Sequence, residues 1–119
     1  MSLEFKKVSD FSRGILFALL SDAYSFDHRC ALHWSVAWQE FDDFFFNHLQ
    51  IADQCAFITT FNEEAIGFVS WDPRRMPEHV EIGHNCIAAE YKGCGYGKMQ
   101  LQDAVDRISQ YDVSKIIVT

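Results

Sequence analysis

The segment Glu81-Ile82-Gly83-His84-Asn85-Cys86-Ile87-Ala88-Ala89-Glu90-Tyr91-Lys92-Gly93-Cys94-Gly95-Tyr96-Gly97 starts as an alternating run and ends in three spaced glycines. Alternation over 78–88 predicts a long strand. Val80, Ile82, His84 and Cys86 are expected on one face, with Glu81, Gly83, Asn85 and Ile87 on the other. On that pattern His84 lies opposite Glu81 and reads as a structural residue. Downstream, Leu101, Ala104, Val105 and Ile108 recur at helical spacing, which predicts a helix over 97–111. A β-rich run then covers 115–119. Strand, glycine loop, helix and strand make a βαβ unit, whose strands run parallel with a right-handed crossover.

Upstream of this unit the pattern changes. Two β-rich runs flank a turn at Asn62–Ala65 and predict a hairpin over 55–71, after which both prolines break the chain at Asp72–Pro77. Trp34, Trp38, Phe41 and Phe45 share one face of a helix expected over 31–49, and this aromatic face reads as core. An earlier helix is expected over 10–23, with Asp10 as its N-cap and a loop leading on to Asp27. A first strand is expected over 3–8. The fold class is therefore α/β of the α+β type: one domain, 1–119, with a mixed, mostly antiparallel sheet that carries the βαβ unit.

Composition narrows the function. The 119 residues are 49% hydrophobic and 23% charged, as in a globular domain with one core. The formal net charge is −7, with no basic run, which argues against nucleic acid and suits a cationic partner such as an amine. No apolar run approaches the ~20 residues that span a bilayer, so no membrane partner is expected. Cys30, Cys55, Cys86 and Cys94 form no Cys-x-x-Cys pair, and nothing at the N-terminus resembles a secretion signal. They read as reduced thiols in a cytoplasmic protein. His28 and His33 are five apart, without a third ligand at zinc spacing, so no metal is expected.

Glycines at 93, 95 and 97 allow left-handed backbone and close approach of main-chain amides to a ligand. The helix they open adds free N–H groups and a partial positive charge, which together suit a pyrophosphate. A tight turn with no ligand remains the alternative. A phosphate loop of Gly-x-x-x-x-Gly-Lys-Ser/Thr type is absent, and Gly-x-Gly-x-Gly is not the dinucleotide pattern Gly-x-Gly-x-x-Gly.

The quoted segment resembles the GNAT superfamily of N-acetyltransferases, whose pyrophosphate motif is Arg/Gln-x-x-Gly-x-Gly/Ala between a strand and a helix. Lys92, Gly95 and Gly97 fall on its positions, and Ile66-Gly67-Phe68-Val69 looks like the family's third strand. The order β-α-α-β-β-β-α-β also matches. Lys92 replaces the usual Arg or Gln, Gln100 a common leucine and Ala89 a frequent proline. The resemblance implies that acetyl-CoA is the cosubstrate. Amides of Gly93, Cys94, Gly95, Tyr96, Gly97 and Lys98 would hold the pyrophosphate, beside Lys92. The exposed backbone of Cys86, Ile87 and Ala88 would take the pantetheine like an added strand.

The resemblance also makes Glu81 the candidate general base, since some members use a glutamate at this point of the fourth strand; an exposed strand glutamate is the alternative. Glu78 and His79 are further candidates. In the family the first two helices border the acceptor site, which would bring a Trp or His there to the amine. A tyrosine that often protonates the leaving thiolate follows the fifth strand, and no residue here matches it. The expectation is thus that the C-terminal part of the fold is lacking. The apolar edge of 115–119 would then be covered by a following segment or a second copy. The expected function is acetyl transfer to a primary amine of a small molecule or protein in a ternary complex. The alternatives are an acyl-CoA-binding module without turnover and a βαβ domain with no nucleotide ligand.

Overall fold

The computed structural model describes residues 3–118. Strands β1 (Leu3–Lys6), β2 (Ala56–Phe61), β3 (Glu64–Asp72), β4 (Val80–Ile87) and β5 (Ile116–Val118) form one sheet in that order. The first three pairings are antiparallel, and β4 with β5 is parallel. The mixed, mostly antiparallel sheet and its βαβ unit are those expected. Between β2 and β3, Asn62 and Glu63 take φ of 50° and 71°, the left-handed pair that a tight hairpin turn requires.

Four helices pack on the sheet: α1 (Ile15–Ala23), α2 (His28–Asn47), α3 (Leu49–Cys55) and α4 (Tyr96–Ile108). Among the described residues no helix is long and apolar enough to cross a membrane. The first helix starts later than 10, because Val8 is buried and turns Val8–Asp10 into a 3-10 helix that also ends β1 at Lys6. Asp10 does not cap α1. Gly14 is the N-cap residue, at φ 104°, and the cap acceptor comes from α2. The fully buried Asp42 carboxylate accepts from the N–H of Gly14 (2.9 Å), Leu16 (2.9 Å) and Phe17 (3.2 Å). The second helix starts at His28 rather than 31, with Asp27 accepting from the Arg29 N–H.

That helix breaks at His48, where φ is −139° and ψ 58°, and the short α3 follows. The sequence reading missed α3 because Leu49, Ala52 and Cys55 continue an apolar helical spacing that merges into the strand. Cys55 is helical, so the hairpin starts at Ala56. Strand β4 is shorter than 78–88, with Glu78 in the turn that follows Pro77. The last helix, the fourth and not the third, ends at Ile108; Ser109 is its C-cap, and the N–H groups of Gln110 and Tyr111 bond three residues back, to Arg107 O and Ile108 O. Of the strand expected over 115–119, Ile116–Val118 is formed, and Thr119 lies outside the described residues.

The sheet separates two cores. Leu16, Leu20, Trp38, Phe45, Phe68 and Cys86 pack on the α1–α2 side. Phe57, Val69, Val80, Ile82, Ala104 and Ile108 pack on the α4 side. Strand β4 contributes to both because it is bulged. Ser70 pairs with His84 but Trp71 pairs with Ile82, so Gly83 is an extra residue. The extra residue overturns the simple alternation read from the sequence. Val80 and Ile82 face α4, while His84 packs on Phe41 and Phe68 with Cys86 on the other side. Glu81, alternating with Val80 and Ile82, therefore lies on the same side as His84 and not opposite it.

Helix α4 is held by a buried polar group. The Gln100 side chain is fully buried. Its amide nitrogen donates to Phe68 O (2.8 Å), Asn85 Oδ1 (2.8 Å) and Cys86 O (3.2 Å), and its oxygen accepts from the Thr59 hydroxyl (2.6 Å). This close packing leaves no room for a side chain at Gly67. A Cβ there would stand 2.4 Å from Cys86 O and 2.6 Å from Ile87 Cδ1. Gly67→Ala should accordingly lower the unfolding free energy by about 1–3 kcal/mol, as overpacked cores do. Urea denaturation measures this. An unchanged midpoint would mean that β3 and β4 part at no cost.

Candidate active site

The parallel pairing of β4 with β5 covers Val80–Ile82. Among the described residues no strand lies against Gly83–Ile87 on that side, so this length of β4 presents an open edge of main-chain donors and acceptors. The chain then passes through a 3-10 turn at Ala89–Tyr91 into the glycine loop. Gly93 and Gly95 take φ of 82° and 86°, a left-handed conformation that favours glycine. Gly95 is the N-cap residue of α4, and the first helical bond runs from Met99 N–H to Gly95 O, 3.2 Å.

The N–H groups of Tyr96, Gly97 and Lys98 precede that bond. Among the described residues the amides from Gly93 to Lys98 have no main-chain acceptor. They gather at the positive end of a 13-residue helix. Asn85, held by Gln100, donates to Gly97 O (3.2 Å) and ties this first turn to the open strand. The arrangement fits a pyrophosphate at the loop and an amide-bearing arm along β4, with no side chain in the way at 93 or 95.

Lys92 and Cys86, both site residues of the sequence reading, have their own partners within the fold. The Lys92 ammonium donates to Ala23 O at the end of α1 and sits 4.7 Å from the centre of the Phe26 ring. It joins the glycine loop to the α1–α2 connection. Burial pushes the Cys86 thiol up to about 12, so at neutral pH the residue offers β4 its backbone and no thiolate. Cys94 is exposed. Ile87 and Ala88 are buried, and Ala88 N–H donates to Ile66 O (2.7 Å). Tyr96 packs its ring between Phe61 and Tyr91.

A cavity of about 330 Å³ opens on the α1–α2 side of the bulge, lined by Tyr24, Cys30, Trp34, Trp38, Gly83 and His84. Tyr24 stacks on Trp38, with centres 5.5 Å apart and planes at 18°. Trp38 is 5% exposed and belongs to the core, but Trp34 is 51% exposed and belongs to the cavity, which corrects its reading as core. Phe44, on the same helix, is also exposed. Burial lowers the pKa of His84 below its ordinary 6.5, so its ring is neutral at pH 7. Glu81, on the same side of β4, is exposed and is not part of the cavity wall. Sequence reasoning missed His84 because a one-residue bulge leaves no compositional mark beyond a glycine.

A second hollow, about 370 Å³, lies between Phe5 and the outer face of α4 and includes no β4 residue. Among the described residues no three His, Cys, Asp or Glu side chains come together as a metal site.

Several solved structures superpose on this fold. PaiA N-acetyltransferase from Thermoplasma acidophilum, in complex with coenzyme A, superposes with a TM-score of 0.76 at 15% identity, over 92% of this chain and 74% of that one. Glucosamine-6-phosphate N-acetyltransferase from Arabidopsis thaliana gives 0.61 at 14%, over 100% and 82%. N-acetylglutamate synthase from Neisseria gonorrhoeae, with coenzyme A and N-acetyl-glutamate, gives 0.67 at 13%; 99% of this chain matches 25% of that protein. No curated protein sequence matches the chain. At these identities the likeness is one of fold. The sequence itself matches the family model described as acetyltransferase (GNAT) family over residues 16–119. With its open β4 edge and glycine loop, the chain belongs to the acetyltransferase (GNAT) family.

Proposed function

We propose that the protein transfers the acetyl group of acetyl-CoA directly to a primary amine in a ternary complex. The observation that carries this reading is the open edge of β4, which runs into amides without main-chain acceptors at Gly93–Lys98, with a cavity on the other side of the bulge. Coenzyme A in two of the similar structures supports it. The pantetheine would lie along Cys86–Ala88 and the pyrophosphate at Gly93–Lys98. Lys92 shapes the loop from its bond to Ala23. The amine nitrogen attacks the thioester carbonyl; a C–N bond forms, the C–S bond breaks, and coenzyme A leaves as a thiolate that takes up the proton the nitrogen sheds as the amide forms. The attacking amine must be neutral, and alkyl amines carry a pKa near ~10.4. A base therefore takes its proton.

Glu81 is the proposed base, acting through water from its exposed place on β4. A second reading is favoured by the bulge. His84 stands in the cavity wall as a neutral imidazole and can take the proton itself.

Acetyl-CoA at a hundred times its Kd should add ~2.7 kcal/mol of apparent stability. A folded sample with no thermal shift at millimolar acetyl-CoA contradicts the reading. Glu81→Gln should lower the rate of N-acetyl product formation by ~10²–10⁴ while the acetyl-CoA shift persists. If Glu81→Gln keeps full rate and His84→Gln shows the loss, His84 is the base. His84 also makes stability depend on pH. Its folded pKa is depressed, so its contribution is complete above pH 6.5 and is lost as pH falls through the lowered value. His84→Gln should flatten the fall in melting temperature on acidification below pH 6.5, followed by circular dichroism. An identical pH profile in both proteins would show that His84 is not held neutral.

A further inference from the structure

We propose that the acceptor amine carries an aromatic ring and a single amino group, with the ring held against Trp34 and the stacked Tyr24–Trp38 pair. The proposal rests on the acetyltransferase reading and names its substrate class. Of the six residues lining the cavity, Tyr24, Trp34, Trp38 and His84 are ring side chains. Trp34 leaves half of a large apolar surface exposed at the cavity, so a docking ring would remove it from water. The volume, about 330 Å³, is at the small end of ligand sites, ~300–1,000 Å³, and suits one ring on a short arm.

Charge separates this class from the other small amines. No carboxylate lines the cavity, so a polyamine would bring its second ammonium there without a partner. A positive charge, the Lys92 ammonium, stands 6.0 Å from the centre of the Tyr24 ring. A phosphorylated amino sugar fares no better. The lining offers no cation for the phosphate. A single ammonium can be drawn along the aromatic faces and reach the bulge at Gly83–His84, where the open edge of β4 begins.

The test is calorimetric binding to the full chain, with and without coenzyme A, using 2-phenylethylamine, spermidine and glucosamine 6-phosphate as probes. Phenylethylamine should bind at least tenfold more tightly than either of the others. Trp34→Ala should weaken it about tenfold, and Trp34→Phe should retain most of the affinity, since ring stacking contributes on the order of 0.5–1.5 kcal/mol. Trp34 is 51% exposed, so these variants keep the fold. Spermidine or the sugar phosphate binding as tightly, Trp34→Ala binding as well as the parent, or no amine binding to a chain that takes up acetyl-CoA would overturn the proposal. Because the readout is binding, phenylethylamine uptake without an acetyl-CoA shift would instead count against the transferase reading and leave the aromatic pocket standing.

Discussion

The carboxamide of Gln100, fully buried between α4 and the centre of the sheet, is the group around which the site is organised. A buried amide is costly unless its donors and acceptor are used, and here Phe68 O, Asn85, Cys86 O and the Thr59 hydroxyl use them. Satisfying all four fixes the height of α4 against β3 and β4 and requires a bare backbone at Gly67. Asn85, oriented by Gln100, then reaches Gly97. The position of the helix N-terminus relative to the open strand thus follows from one side chain in the core.

The cavity side has its own restraints, and they converge on α1. The first turn of that helix hangs on the Asp42 carboxylate of α2, and its last carbonyl region is met by the Lys92 ammonium. A negative group at the N-terminal end and a positive one at the C-terminal end both suit the helix dipole. Tyr24, which follows directly, is held between the glycine loop and Trp38. The loop and the aromatic wall are therefore mechanically joined through Lys92.

The parts of this molecule legible in the sequence are those with a local period or a local backbone requirement. The apolar repeat of Leu101, Ala104, Val105 and Ile108 marks α4, and three spaced glycines mark the loop before it. The hairpin was visible in two β-rich runs. What stayed hidden depends on distant partners. The cap of α1 is supplied from 25 to 28 residues away. The break at His48 is a backbone event inside a continuous helical pattern. The side of the sheet on which His84 lies hinges on Gly83, and an alternating pattern cannot display an extra residue. Trp34 and Trp38 share a stripe, yet only the latter is covered.

The bulge at Gly83 divides β4 into two lengths that answer to different neighbours. Val80 and Ile82 are constrained by α4 and β5, whereas His84 is constrained by the aromatic wall. Asn85, next after His84, serves the helix that opens at the glycine loop. A change at Trp34, which has no partner in common with Gln100, therefore need not disturb the packing that seats the helix, because sites without shared partners contribute nearly independently. The exposed side of the wall is thus free to vary on its own, while Tyr24, tied to the loop through Lys92, is not.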